Sequence, residues 1–502
     1  MKKLLFFSLI TCGLNCIAQT PTYSEHIAPI LFNSCTSCHH EGGLAPFSLM
    51  TYSEASSWGS EIVLSIIEGE MPPWPVDSTY QRYANERILN ASEINTIVEW
   101  VNDSSPQGDP ALSPLTPVYT PGAILANPDY TISLPAYTSN AVDEDEYICF
   151  SLETNFPIDK NIRAIEIIPG NPAIVHHALL FTDTALPSEE VTDDCMGVSG
   201  NLVAGYTPGS APTIFPNGGE IKMGVPLEAG SNMVMQMHYP EGSAGTVDST
   251  KVNFFFYPDD TENIREVYTE SLLENWSLYI PANTVKTFNT QYPSGNNGLN
   301  SDYSILSVFP HMHLIGKEIT SYAVKPNNDT IPFERVLNWD FEWQGFYNFK
   351  NMLKIPAGST LKAHAVYDNT SANPHNPNTP PQLVTAGEAT TDEMFLVFFQ
   401  YLDYVEGDEN LDLESLINMG RKESVKFIEL SIFPNPTTEF IQLNLPFIEE
   451  TNFKIFNLLG EIVLEEMVQS NEYISVKELP EGIYVCYVQN ANNIYSTRIV
   501  KQ

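Results

Sequence analysis

His311 and His313, in Phe309-Pro310-His311-Met312-His313-Leu314-Ile315-Gly316, stand two residues apart, a spacing that sends both imidazoles to one face of a β-strand. Two rings on one face can share a metal ion. Met394, 81 residues beyond His313 in Glu393-Met394-Phe395-Leu396-Val397-Phe398-Phe399, offers that ion a thioether. Two imidazoles with one sulfur favour copper, because a thioether suits Cu(I) and imidazole suits both oxidation states. Upstream, His176-His177 and the His238 of Gln236-Met237-His238-Tyr239 form a second set, of three imidazoles. Adjacent His176 and His177 would point to opposite faces of a regular strand, so joint ligation requires a bulge or twist there. For any one histidine a hydrogen-bonded structural role is the commoner fate; it is the set that points to metal. His26, His40, His364 and His375 stay unassigned, and His364, alternating with apolar residues in Lys362-Ala363-His364-Ala365-Val366, reads as a strand residue.

The order His-His, Gln-x-His-Tyr, His-x-His-x-x-Gly, Asp-Glu-Met resembles the copper type II, ascorbate-dependent monooxygenases, the family of peptidylglycine and dopamine hydroxylating enzymes. The resemblance spans roughly residues 125 to 410. It implies two β-sandwich domains facing across a solvent cleft, each with one copper ion. His176, His177 and His238 would hold an electron-transfer copper, and His311, His313 and Met394 the copper where oxygen is activated. It also implies a disulfide between Cys149, in Tyr147-Ile148-Cys149, and Cys195. Gln236 and Tyr147 match the family near the coppers. In the peptide-hydroxylating member an arginine two residues ahead of the His-x-His pair and an Asn-x-Tyr after the methionine bind the substrate carboxylate. Phe309, Leu396 and Phe398 stand at those places here, which argues for a less polar small-molecule substrate.

Ser34-Cys35-Thr36-Ser37-Cys38-His39 carries different chemistry. Two thiols at C-x-x-C-H spacing bond the vinyl groups of a haem while the histidine ligates iron. A helix-like run over 53–68, a stop at Gly69 and Glu70-Met71-Pro72-Pro73-Trp74 follow. The prolines hold that segment extended and can aim Met71 at the open face of the iron, the alternative being a methionine packed in the core. Asn90 to Glu93 matches a capping box, and Ile94, Ile97, Val98 and Val101 give one apolar helical face. Residues 22–105 thus resemble a small class I cytochrome c domain with one covalently bound haem c; a Cys35–Cys38 disulfide is the alternative. With a haem in the chain, electrons are expected to pass from an external donor, ascorbate or a redox protein, to the haem, then to the three-histidine copper, then to the oxygen site.

These sites require several elements to position them, and 502 residues have room for three or four domains. Residues 1–18 read as a cleaved secretory signal, Lys2-Lys3 preceding an apolar run and a small-residue end, with a lipidated Cys12 or Cys16 as the alternative. The expected organisation continues with the helical haem domain at 22–105, a linker at 106–127, two antiparallel β-sandwiches at 128–262 and 263–408, an acidic linker at 409–429 and a small β-sandwich at 430–502. In that last module Phe433-Pro434-Asn435-Pro436 and Leu479-Pro480-Glu481-Gly482-Ile483-Tyr484-Val485 resemble the sorting domain read by the type IX secretion machinery. Cys486 reads as a buried strand residue. A net charge of −39, from 23 Lys+Arg against 62 Asp+Glu, excludes a nucleic-acid partner and suits an outward-facing protein. No segment after the signal is apolar for about 18 residues, so no membrane span is expected. The reading is a secreted or cell-surface dicopper monooxygenase fed through a haem, against the alternative of a non-catalytic electron-transfer or copper-binding protein.

Overall fold

The computed structural model describes residues 20–43, 45–117, 119, 123–125, 127–183, 191–192, 201–295, 297–387, 389–417, 426–445, 451–457, 462–490 and 493–502. The signal segment, with Cys12 and Cys16, and Cys195 lie outside them.

Four helices build the first unit: α1 (Ala28–Ser34), α2 (Tyr52–Ser57), α3 (Gly59–Glu68) and α4 (Ala91–Asn102). The run expected as one helix over 53–68 breaks at Trp58, whose backbone leaves helical geometry between α2 and α3. Capping explains the boundaries. Thr51 and Glu54 close a capping box on α2, Asn90 and Glu93 one on α4, and Gly69 at φ 78° ends α3 in the left-handed region. Ile62, Ile66, Ile97 and Trp100 meet Tyr23, Ile27 and Leu31 in the core of this unit.

Two β-sandwiches follow. In the first, one sheet orders its strands Tyr130–Ser133, Lys251–Phe256, Lys160–Ile168, Ile221–Leu227. The facing sheet runs Val191–Thr192, Glu146–Glu153, Asn232–Tyr239, His177–Asp183, Asn201–Tyr206. Phe150, Leu180, Met235, Phe254 and Val225 fill the space between. The chain crosses over at Val267: Arg265–Glu266 still pairs with Ile221–Leu227, whereas Tyr268–Glu274 pairs with Leu396–Asp403 of the second sandwich. That sandwich stacks the sheet Tyr268–Glu274, Leu396–Asp403, Tyr303–His311, Tyr347–Ile355 on the sheet Thr284–Tyr292, Thr360–Asn369, Gly316–Val324, Thr330–Val336. A smaller two-sheet unit over 426–502 buries Leu443, Phe453, Ile455 and Ile499. Cys486 lies in its core as a free thiol whose pKa burial pushes up to about 12.

Parts of both stretches expected as linkers are packed, although Leu112 and Leu115 of the first stay exposed. Tyr23 and Ser24 donate backbone N–H groups to Pro106 and Gln107, and Trp100 Nε1 donates to Pro106. Further on, Ile124 and Leu125 N–H groups end on the Glu166 carboxylate. In the acidic stretch, α5 (Leu413–Ile417) buries Leu413 and Ile417 against the first sandwich core, and Asp408 takes a two-pronged ion pair from Arg265. Composition reads such segments as solvated; two or three apolar anchors among polar residues suffice to pin them.

Candidate metal centre

The three-histidine cluster follows from strand register. On the central strand His238 faces His177 on one side and Tyr147 on the other, so all three rings share one face of the sheet. His176 lies just before its strand begins and donates its N–H to the His238 carbonyl at 3.0 Å. Leaving the regular strand there gives the twist that joint ligation demanded. The Nδ1 atoms converge: His177 to His238 at 3.1 Å and His176 to His177 at 3.5 Å. Such separations are those of imidazoles about 2.0–2.1 Å from one shared ion, so the residues fit a metal. Their outer nitrogens meet carboxylates. His176 Nε2 lies 3.0 Å from Glu342 Oε2, and His238 Nε2 lies 3.2 Å from Asp145 Oδ2.

Electrostatics favour the neutral, metal-binding form. Burial, then the neighbouring histidines, hold the His177 pKa well below the usual imidazole value, and burial outweighs Asp145 in lowering His238. Burial alone would raise Asp145, but the His238 ring 3.2 Å away, too poorly aligned for a regular hydrogen bond, and the hydrogen bond from the Thr390 hydroxyl at 2.6 Å hold it well below the carboxylate range. The hydrogen bond from His176 depresses Glu342.

His311 closes its strand opposite Leu396, where the pairing ends, and the backbone N–H groups of His313 and Met394 both turn to the Glu393 carboxylate. The His311 and His313 ring centroids are 5.2 Å apart. Each ring is held by Nδ1, His311 at 2.7 Å from Gln344 Oε1 and His313 at 3.2 Å from the Asp392 carbonyl, with the Ala389 backbone also bonding the His313 ring; the His311 Nε2 is left for a metal. The His311 ring therefore presents a different nitrogen from those of the three-histidine cluster. Burial lowers His311 to about 4 and His313 to about 3, so both are neutral near pH 7. Beneath them Glu393, beside Met394, accepts N–H groups from His313, Ile315 and Met394 at 2.9, 2.8 and 3.2 Å, and burial pushes its pKa up to about 8 against their pull. Trp339 Nε1 adds a bond to the His313 carbonyl, and a Cβ on Gly316 would come within 2.9 Å of that indole.

One loop of the second sandwich, between Thr330–Val336 and Tyr347–Ile355, touches both clusters. Phe341 stacks on His176 at 5.1 Å and meets the His313 ring edge-on at 6.0 Å. Glu342 binds His176, Gln344 binds His311, and Thr207 of the first sandwich donates its hydroxyl to the Gln344 carbonyl at 2.6 Å. The loop thus bridges the two clusters, with the Glu342 side chain 62% exposed beside them. Motif reading missed Asp145, Phe341, Glu342, Gln344 and Thr390. An aromatic and acidic run, Trp339-Asp340-Phe341-Glu342-Trp343-Gln344, was the available signal.

Elsewhere, Phe309 faces Phe398 in register with their rings 5.7 Å apart, and Phe346 packs on Phe309 at 5.0 Å. Leu396 is buried beside them, so the face bearing His311 is walled by hydrocarbon. Cys149 is disulfide-bonded, and its expected partner lies outside the described residues. Cys35 and Cys38 are free thiols, and burial, then Cys38, pushes Cys35 up to about 12. His39 sets Nδ1 3.2 Å from the Phe47 carbonyl, leaving Nε2 open. Met71, which follows α3, is exposed, and so are Leu64 and Ile67 on α3.

Comparison with known proteins agrees with part of this geometry. Residues 277–427, which contain His311, His313 and Met394, match the copper type II ascorbate-dependent monooxygenase, C-terminal domain. Residues 431–502 match the secretion system C-terminal sorting domain, so the chain carries a tail that directs export to the cell surface or beyond. A tyramine beta-hydroxylase of Caenorhabditis briggsae is 22% identical over 256 residues, 47% of this chain and 41% of that protein. The chain therefore spans less than half the length of that relative. Among solved structures, a beta-glucuronidase of Faecalibacterium prausnitzii (10% identity, 49% of this chain, 47% of that one) and the BSP domain of a biofilm-associated protein (10%, 73% and 82%) each superpose with a TM-score of 0.14, too low to bear on fold or function.

Proposed function

We propose that this chain is an exported dicopper monooxygenase that hydroxylates a small, weakly polar organic substrate. The observation that carries the proposal is the pairing of two histidine clusters of different make, one of three converging imidazoles and one of His311 and His313, tied through Glu393 to the backbone of Met394, with a single Phe341 ring between them. One oxygen atom of O2 enters a C–H bond and the other leaves as water, with two electrons and two protons consumed. Copper, when bound, supplies one-electron redox chemistry at the first site and an open position for oxygen at the second.

The remaining work belongs to the protein. Glu342 and Asp145 keep the outer nitrogens of His176 and His238 engaged, so that the Nδ1 atoms face inward. Gln344 does the reverse for His311, and the Asp392 carbonyl holds the His313 ring. Glu393 fixes the backbone that carries His313 and Met394. Phe309, Phe346, Leu396 and Phe398 exclude water from the substrate side and offer no charge for a carboxylate. The match to a tyramine beta-hydroxylase supports an aromatic amine or a similar small molecule as the substrate class.

Haem delivery is the finer part of the proposal. Two free thiols on one turn, an imidazole with Nε2 unengaged and the exposed apolar side of α3 are the features that fit a covalent haem c. Cys35 and Cys38 would hold it and His39 would ligate its iron, with Met71 as the distal candidate. The test is metal content on protein exported with haem maturation and dialysed with copper, beside a His313→Ala, Met394→Ala double variant. About two copper and about one iron per chain, falling to about one copper in the variant, with product formed only under O2 by the parent, is the expected result. Absence of copper above background would end the monooxygenase reading.

A further inference from the structure

The helical unit is fastened to both sandwiches. On one side Trp74 to Arg87 forms an arm inlaid in the second sandwich. Val76 bridges to Val336 and Tyr83 to Phe349, Tyr83 donates its hydroxyl to the Phe333 carbonyl at 2.8 Å, and Asp77 accepts from Arg335. On the other side Arg87 donates a guanidinium N–H to the Gly209 carbonyl of the first sandwich at 3.2 Å, and the C-x-x-C-H turn is clipped by Tyr119 of the connecting segment. That ring stacks on His40 at 4.4 Å and 10°, and its hydroxyl lies 2.7 Å from Thr36 Oγ1. Beyond the clip a half-open cleft of about 190 Å³ separates the turn from the first sandwich. Gly42 and Gly43 wall it on one side; Ile165, Ile167, Gly205 and Tyr206 wall it on the other.

Tyr206 ends a strand that pairs with the strand beginning at His177. It faces Ala178 in register, and directly opposed residues have Cα atoms about 4.5–5.5 Å apart. A hydrogen-bonded backbone pair thus separates the cleft wall from a ligand of the three-histidine cluster. Burial pushes the Tyr206 hydroxyl up to about 12, and Cys38 is close enough to add to the effect.

We infer that the C-x-x-C-H turn is docked in place, not tethered, and that the end of strand Asn201–Tyr206, with Tyr206 in the cleft wall, is the contact through which electrons reach His177. The inference rests on the haem part of the proposed function. What crosses the contact is one electron at a time: the iron is oxidised by one unit and the copper reduced by one, with no proton or bond exchanged. An outside one-electron donor, of the ascorbate or redox-protein class, resupplies the iron.

The experiment uses the full chain carrying haem and copper. Ferrous haem reoxidation is followed by absorbance without oxygen, in the parent, Tyr119→Ala, Tyr119→Phe and Tyr206→Leu, with haem quantified as its pyridine complex. Tyr119→Ala and Tyr206→Leu are expected to slow reoxidation at least about tenfold at unchanged haem and copper content, and Tyr119→Phe, which keeps the stack, to slow it less. A second readout needs no cofactor. Hydrogen exchange at residues 40–43 and 204–206 should be slow in the parent and rise together in Tyr119→Ala. Haem and copper present with unchanged rates in both variants would overturn the route while leaving the haem reading intact. Absence of covalent haem would overturn both. Fast exchange at 40–43 in the parent would overturn the docking.

Discussion

Glu342 of the second sandwich places its Oε2 3.0 Å from Nε2 of His176 in the first, across 166 residues of sequence. The adjacent Phe341 ring stacks on the same imidazole. A ligand of one cluster is therefore oriented by the domain that carries the other. Replacing Glu342 by Ala removes the acceptor that fixes the His176 ring, and losses of outer-shell partners of this kind lower metal affinity about 10–100-fold. Copper affinity at the first site should fall by that factor in Glu342→Ala, and less in Glu342→Gln. Titration against a competing chelator would check it, with the second site as the internal control.

Glu393 acts on the second cluster from below. Glu393→Ala would leave the buried N–H groups of His313 and Ile315 without an acceptor, at about 1–3 kcal/mol each. The expected result is a loss of about 2–5 kcal/mol in denaturant unfolding together with loss of the second copper. Glu393→Gln, which keeps one acceptor oxygen, should recover part of both.

The sequence carried the ligand types well, because alternation in a strand puts His311 and His313 on one face whatever surrounds them. It carried the caps of α2 and α4 for a similar reason, since Thr51 with Glu54 and Asn90 with Glu93 act within one turn. Two features escaped it. Which nitrogen each ring presents depends on partners such as Glu342, Gln344 and Asp145, and those are set by domain packing. The linkers escaped because Leu413 and Ile417 lie in an acidic stretch and Tyr119 in a Pro- and Thr-rich one, and a window of composition averages them away.

Buried Glu334 sets a pH dependence remote from both clusters. Burial raises its pKa to about 8, against the hydrogen bond from the Ser321 hydroxyl, and its Oε1 has no partner. An acid raised in the native state keeps its proton there while the unfolded chain loses it near 4.5. The stabilisation is full below that value and is lost progressively as pH rises to about 8. Unfolding free energy of the second sandwich should therefore fall by a few kcal/mol at most across this window, and Glu334→Gln should flatten the slope. Chemical denaturation at several pH values would measure it, and an identical slope in the variant would reject the assignment.

Tyr83 tests whether the helical unit is part of the second sandwich. Its ring is 2% exposed between Trp74, Tyr347 and Phe349, and its hydroxyl is satisfied by Phe333. Large aromatic-to-alanine changes in cores cost about 3–5 kcal/mol. Tyr83→Ala should lower the second sandwich's stability by that amount and split one thermal transition into two, the helical unit melting first. A single shifted transition would mean the arm is not what couples them.

Substrate preference can be read from the wall that replaces a carboxylate clamp. Phe309, Phe398, Phe346 and Leu396 surround the approach to His311 with apolar side chains, and an uncharged ligand gains about 25 cal/mol per Å² of hydrocarbon it covers there. Phe309→Arg would put a guanidinium into that wall, two residues ahead of His311. The charge is desolvated unless a carboxylate answers it, so KM for a neutral or amine substrate should rise by about tenfold or more, with a smaller change in kcat. A substrate analogue bearing a carboxylate should bind better to the variant than to the parent. Parallel KM measurements on the two analogues decide the matter. Equal losses for both would mean that Phe309 supports the fold near His311 and does not face the substrate.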